Sequence, residues 1–205
     1  MNRTWIISLL ALCVLPVAEA GDAPDVDEIH GFQVDFHLAS AKQKKKVLPS
    51  LNRQFEIIES AGLPSKVLDF FHTVPFVADP DLKEMNGEYK PMDGRWVVHV
   101  KLAEIPEDRA IMLHELLHAY QHQVLGEPTP PVGRAYQQAL QRGTYPASFL
   151  DAYFLKNGKE YFAVVGEVFL AGKTFRPPFD CRTVQKAQPE FIAWMGELFG
   201  PHPCR

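Results

Sequence analysis

Near the middle of the chain, His114-Glu115-Leu116-Leu117-His118 is set among Ala110, Ile111, Met112, Leu113 and Ala119, a run of helix formers and apolar residues. Such a run demands a buried helix. Two histidines and a glutamate inside it are costly unless something partners them. Residues four apart share a helix face about one turn apart, so the two imidazoles converge on one point, as two ligands of a tetrahedral zinc ion do. Glu115 then stands where a carboxylate can take a proton from a metal-activated water and later pass it to a leaving amine. Pro106, Glu107 and Asp108 predict an acidic, proline-led start for this helix, and Gly126 predicts its end.

The N-terminus bounds where the chain works. Arg3, the apolar run Trp5 to Val17 and the small-residue site Ala18-Glu19-Ala20 read as a secretory signal. The run is too short for a stable transmembrane span. Residues 1–20 are therefore expected to be a signal peptide and 21–205 a single domain, secreted or periplasmic, monomeric and without stable membrane insertion after cleavage. With 21 Lys and Arg against 25 Asp and Glu, the net charge of −4 offers no basic field for nucleic acid. The dense basic run Lys42, Lys44, Lys45 and Lys46 is expected on the solvated face of a helix. Cys181 and Cys204, the cysteines left after processing, are expected to pair in an oxidising compartment.

The chain's periodicity alternates before the motif and turns helical after it. Phe32, Val34, Phe36 and Leu38 predict a half-buried strand from His30 to Leu38. Ser40 to Ala61 follows as an amphipathic helix with a kink or break at Pro49. Thr73 to Val77 reads as a proline-bearing edge strand. Asp93-Gly94 is a turn signal ahead of a strand from Trp96 to Val100. Further helices are expected over Val132–Arg142, Lys159–Ala171 and Pro189–Phe199. The fold class that follows is α+β, with a small mixed sheet and a mainly helical C-terminal half.

Two histidines leave a third zinc ligand to find. Gln121 and Val124 stand where the longer histidine-rich pattern would need glycine and histidine. His122 continues the four-residue spacing, but its azimuth has drifted by about 80° from His114 over two turns, which predicts a solvated role near the helix end. Glu160 and Glu167, seven apart in an otherwise apolar segment, share a face and need a cation or hydrogen bonds to stay ionised. One could bind metal while the other orients a ligand histidine.

The pairing of His114-Glu-Leu-Leu-His118 with Glu160-Tyr161-Phe162-Ala163 resembles the catalytic domain of anthrax lethal factor and the clostridial Pro-Pro endopeptidases, over roughly Ala110 to Leu170. That resemblance implies a zincin-like fold with an edge strand beside the active-site helix, Glu160 as third zinc ligand and Tyr153 assisting catalysis. In zinc peptidases of this kind an extended substrate lies along such an edge, for which Gly87–Lys90 and Arg95–Lys101 both qualify here. The family's glutamate four residues after the ligand is replaced by Val164. The expectation is thus a secreted zinc metallopeptidase acting on peptide or protein substrates, with His114, His118 and Glu160 as ligands and Glu115 and Tyr153 catalytic. The alternative is an exported metal-binding domain without hydrolytic activity.

Overall fold

A computed structural model describes residues 25–201; the signal-like segment and Cys204, and with it the expected Cys181–Cys204 link, lie outside the described residues. Strands β1 (Val26–Ile29) and β2 (Phe32–Asp35) form a hairpin. Its connection, His30-Gly31, has φ of 53° and 81°, the backbone of a two-residue turn whose twist suits paired strands. The expected strand to Leu38 stops short. Phe32, Val34 and Phe36 are buried as the alternation predicts, but the Asp35 carboxylate accepts the His37 amide at 2.9 Å, turning the chain out of the ladder and leaving Leu38 exposed.

Ser40 then opens α1 (Ala41–Glu59) with a reciprocal cap: its hydroxyl accepts the Gln43 amide, and the Gln43 side chain accepts the Ser40 amide. Where a kink or a break was expected, the helix continues through Pro49 unbroken. Pro49 and Lys45, whose carbonyl loses its donor, both lie on the exposed side, where water can replace that bond. In the basic run Lys42, Lys45 and Lys46 are exposed, whereas Lys44 is drawn in, 2.8 Å from both Asp25 and Asp27, and ties α1 to β1.

A helix the sequence did not announce, α2 (Ser65–Thr73), leads to β3 (Phe76–Asp79). Strands β4 (Gly87–Met92) and β5 (Arg95–Lys101) complete one mixed sheet in the order β1-β2-β3-β5-β4, parallel at β2–β3 and β3–β5 and antiparallel at its two ends. This corrects two expectations. The proline-bearing segment is central, not an edge, because Pro75 sits just before β3 and only its carbonyl is used, accepting the Val98 amide at 2.9 Å. Segment Arg95–Lys101 is paired on both sides, so the free edge near the motif is β4. On one face of the sheet Asp79 and His99 form a buried pair at 2.8 Å.

The motif helix α3 (Ile111–Tyr120) begins later than the proline-led signal suggested. Residues 106–109 form a turn, and the cap comes from α1: buried Gln54 accepts the Met112 amide at 3.1 Å while donating to the carbonyls of Pro106 and Arg109. After Tyr120 the helix widens into a π turn, Gln121–Leu125, closed by Gly126 at φ 74°. The rest is helical: α4 (Pro130–Ala139), α5 (Gly158–Ala171), α6 (Cys181–Ala187) and α7 (Pro189–Phe199). Helix α4 starts at Pro130 and ends before the expected Arg142, while the other two expected helices stand nearly as drawn.

Helix α5 lies close along α3 because Gly166 leaves room for it: a Cβ there would fall 2.8 Å from Leu117 Cδ1. Its far side is fixed by Tyr161, fully buried, whose hydroxyl donates to Gln188 Oε1; Gln188 in turn donates to the Ala135 carbonyl at 2.8 Å. The architecture is α+β, seven α-helices and one five-stranded mixed sheet among the described residues.

Candidate metal centre

Helix α3 presents His114, Glu115 and His118 toward the gap between β4 and α5, and α5 presents Glu160 from its first turn. That turn is held by Asn157, whose side chain accepts the amides of Lys159 and Glu160, each at 2.9 Å. The structure brings the three expected ligands together. His114 Nε2 and His118 Nε2 are 3.1 Å apart, and Glu160 Oε2 lies 3.2 Å from the first and 3.7 Å from the second.

These separations test the fit of a metal. Ligands about 2.0–2.1 Å from zinc at tetrahedral angles lie about 3.3–3.4 Å from one another, and the observed three distances straddle that value. Two ring nitrogens at 3.1 Å need a proton or a cation between them, and Glu160 Oε2 is buried with no hydrogen-bond partner. The electrostatics point the same way. Burial alone would lower the His114 imidazolium pKa, but the carboxylates of Glu160 and Glu167 outweigh it and push it up to about 9. Burial would raise Glu160, yet the two histidines beside it, at 3.2 and 3.7 Å, hold it well below the usual carboxylate range. The pocket is built for positive charge.

Glu167 stands behind this cluster. Its Oε1 accepts the Thr174 hydroxyl at 3.0 Å, and its Oε2 lies 3.6 Å from His114 Nδ1 and 3.9 Å from the Arg176 guanidinium. It thus faces the ring nitrogen that points away from the ligand set, the place from which a carboxylate fixes a tautomer. Glu115 Oε2 accepts the Tyr89 amide from the free edge of β4 at 2.9 Å, and Oε1 has no hydrogen-bond partner among the described residues. Gly87 makes this approach possible: a Cβ there would meet Met112 Cε at 2.9 Å and Glu115 Cγ at 3.0 Å.

Tyr153, on a single-turn helix before α5, places its phenol beside Glu160. Burial and the Glu160 charge raise its pKa far above the ordinary 10, against the nearby Arg176. It therefore remains a donor throughout the range in which proteins work. His122 lies at the helix end outside the ligand group, as expected, but is only partly exposed. It packs against Trp96 at 4.4 Å between ring centres and meets the Tyr89 hydroxyl at 3.1 Å, part of the cleft wall and not of the ligand set.

The cleft continues to both sides of the cluster. Toward the C-terminal end of β4 it opens into a hollow of about 270 Å³ walled by Tyr89, Trp96 and His122. Toward the N-terminal end it opens into one of about 220 Å³ below Arg109, Phe175 and Arg176. Sequence reasoning offered Gly87–Lys90 as a substrate edge without the contacts of Gly87 and Tyr89 to Glu115, and missed Gln54, Arg109 and Arg176. A glycine opening a strand was the only local signal among them, since the others act through residues distant in the chain. No family model, curated protein or solved structure matches the chain.

Proposed function

We propose that this chain is an exported zinc-dependent endopeptidase of the zincin type, similar in its motifs to the lethal-factor-like peptidases. The observation that carries the reading is the set His114, His118 and Glu160 at tetrahedral spacing, with an unengaged oxygen of Glu115 and the Tyr153 phenol lining the same cleft. Zinc bound there would supply Lewis acidity, lowering the pKa of water and polarising the scissile carbonyl.

The remaining chemistry falls to the chain's own groups. The free edge of β4 holds an extended peptide by main-chain hydrogen bonds, which suits a substrate recognised with little regard to sequence. Glu115 is kept in place by the Tyr89 amide, so its other oxygen takes the proton from the attacking water and delivers it to the departing amine. Tyr153 donates to the carbonyl oxygen as it becomes negative in the tetrahedral transition state. Glu167, 3.6 Å from His114 Nδ1, would favour the tautomer that leaves the Nε2 lone pair free for zinc. A purely structural zinc site would need a fourth protein ligand, and the fourth side here faces the cleft; this disfavours an inert metal-binding domain. No helix among the described residues is long and apolar enough to cross a membrane.

The test is digestion of a peptide mixture by zinc-loaded protein, read by mass spectrometry, beside the Glu115→Gln variant. New termini made by the wild type and not by Glu115→Gln support the reading. A wild type that retains zinc and cleaves nothing refutes it.

A further inference from the structure

The hollow at the N-terminal end of β4 holds two guanidinium groups, each over an aromatic ring. Arg109 lies 4.3 Å from the Phe175 ring centre, and Arg176 lies 4.3 Å from that of Tyr153. Their counter-charges differ. Arg176 has Glu167 at 3.9 Å, whereas no carboxylate comes within 4.0 Å of Arg109 among the described residues. The acidic groups facing the hollow are Glu84, Glu115 and Glu167. Glu115 is engaged by the Tyr89 amide, Glu167 by Thr174 and the His114 ring, and Glu84 sits exposed on the outer lip. Arg109 is itself anchored at its backbone, where the carbonyl accepts Gln54 Nε2 at 2.7 Å. A positioned guanidinium without an anion is a ready partner for a carboxylate, whose two oxygens match its planar fork.

The strand sets which part of a peptide reaches it. The Lys101 amide bonds inward to the Asn86 carbonyl and the Tyr89 amide points outward to Glu115, so Gly87, Tyr89 and Pro91 present their backbone groups to the cleft. Pro91 has no amide and the Tyr89 amide is taken by Glu115, so beyond Gly87 the edge meets a peptide chiefly through its outward carbonyls. A peptide joining β4 in the commoner antiparallel sense places its N-terminal part by Tyr89 and Trp96. Its C-terminal part then enters the Arg109 hollow.

We infer that this enzyme selects substrates bearing a carboxylate just beyond the scissile bond on the leaving-amine side, read by Arg109 with Arg176 beside it. The inference rests on the peptidase reading above. The carboxylate is either an Asp or Glu side chain or the free C-terminus of a peptide ending there.

The test begins from cleavage sites found in the peptide mixture. Four matched peptides are then compared, with Glu, Gln or Lys at the first position after the site and an amidated end, and a fourth with a neutral residue there carrying a free C-terminus. A hydrogen bond between charged groups predicts kcat/KM for Glu above Lys by roughly 10-fold or more, with Gln between. Preference for the Glu peptide or for the free terminus identifies the source of the carboxylate. Arg109→Glu should invert the Glu-to-Lys ratio and Arg109→Lys should keep its sign, both with zinc content equal to wild type. Because the readout is a ratio within one variant, a partly unfolded preparation does not mimic it. Cleavage at equal rates for Glu and Lys, a ratio unmoved by Arg109→Glu, or an acid preference on the opposite side of the bond overturns the inference and leaves the peptidase reading standing. No cleavage of any peptide overturns the peptidase reading instead. In that case binding of the same labelled peptides to zinc-loaded Glu115→Gln decides the inference, and equal affinities for Glu and Lys refute it.

Discussion

Replacing Gly166 by alanine ought to stabilise an ordinary helix, and here it should do the reverse. Alanine in a helix interior is favoured over glycine by about 1 kcal/mol. At this position the added methyl would lie 2.8 and 3.1 Å from the two Cδ atoms of Leu117 and 3.3 Å from Met195 Cε. The shortest of these is about 0.7 Å or more inside the ordinary carbon contact of about 3.5–4.0 Å. Leu117 and Met195 are both fully buried, so neither side chain can swing into water, and α5 must retreat from α3. Overpacking of this kind costs about 1–3 kcal/mol. The propensity gain offsets only part of that, and the net expectation is a loss of about 1 kcal/mol. A retreat of several tenths of an ångström also carries Glu160 away from His114 and His118, so zinc affinity should fall by about tenfold, the scale seen when ligand support is disturbed. Urea unfolding and competitive zinc titration against a chelator measure the two effects. A Gly166→Ala protein about 1 kcal/mol more stable, with unchanged zinc affinity, would show that the close approach of α5 does not matter.

Three further outcomes follow from the site and its supports. Tyr153→Phe should lower kcat by about 10²–10³ with little change in KM or zinc content, because the lost donor acts on developing charge; steady-state kinetics check this, and a wild-type rate would remove Tyr153 from the mechanism. Glu160→Ala should abolish zinc retention on dialysis, whereas Glu167→Ala, which removes only the carboxylate behind His114, should weaken it by about 10- to 100-fold; equal losses would make the assignment of ligand and support wrong. At Asp79, burial would raise the carboxyl pKa, but the Asp81 amide and His99 outweigh it and hold it below the ordinary 3.8. A depressed carboxylate stabilises the fold above its unfolded pKa and loses that contribution as pH falls through the folded one. Asp79→Asn should therefore cost about 1–2 kcal/mol at pH 7, with the deficit shrinking as acid unfolding is followed below pH 3.8; a deficit constant with pH would contradict the pairing.

Local chemistry made the motif helix, its histidine face and three of the four later helices legible; α6 was missed. Helical spacing fixes which side chains share a face, so His114, His118 and the pair Glu160 and Glu167 could be drawn before any coordinates. What failed was set by partners far along the chain. The start of α3 was misplaced because its cap comes from Gln54, more than fifty residues earlier, and no acidic signal near Pro106 can reveal that. Strand β3 was taken for an edge because Pro75 was counted inside it, when the proline precedes the ladder. The role of Glu167 was left open in the sequence because which of two glutamates on one face reaches the histidine pair depends on how α5 is set along α3, where Gly166 allows the close approach. The arginines of the cleft carry no periodic signal, since each arrives from a turn.

The central claim is a zinc site made of His114, His118 and Glu160 with its fourth side open to the cleft. Metal analysis of purified protein, reconstituted with zinc and dialysed, tests it most directly, together with the Glu115→Gln variant and three alanine variants at the ligands. The account predicts about one zinc per chain in the wild type and in Glu115→Gln, and near none when any of the three ligands is replaced. Zinc near zero in the wild type, or a full complement in His114→Ala, His118→Ala or Glu160→Ala, would contradict it.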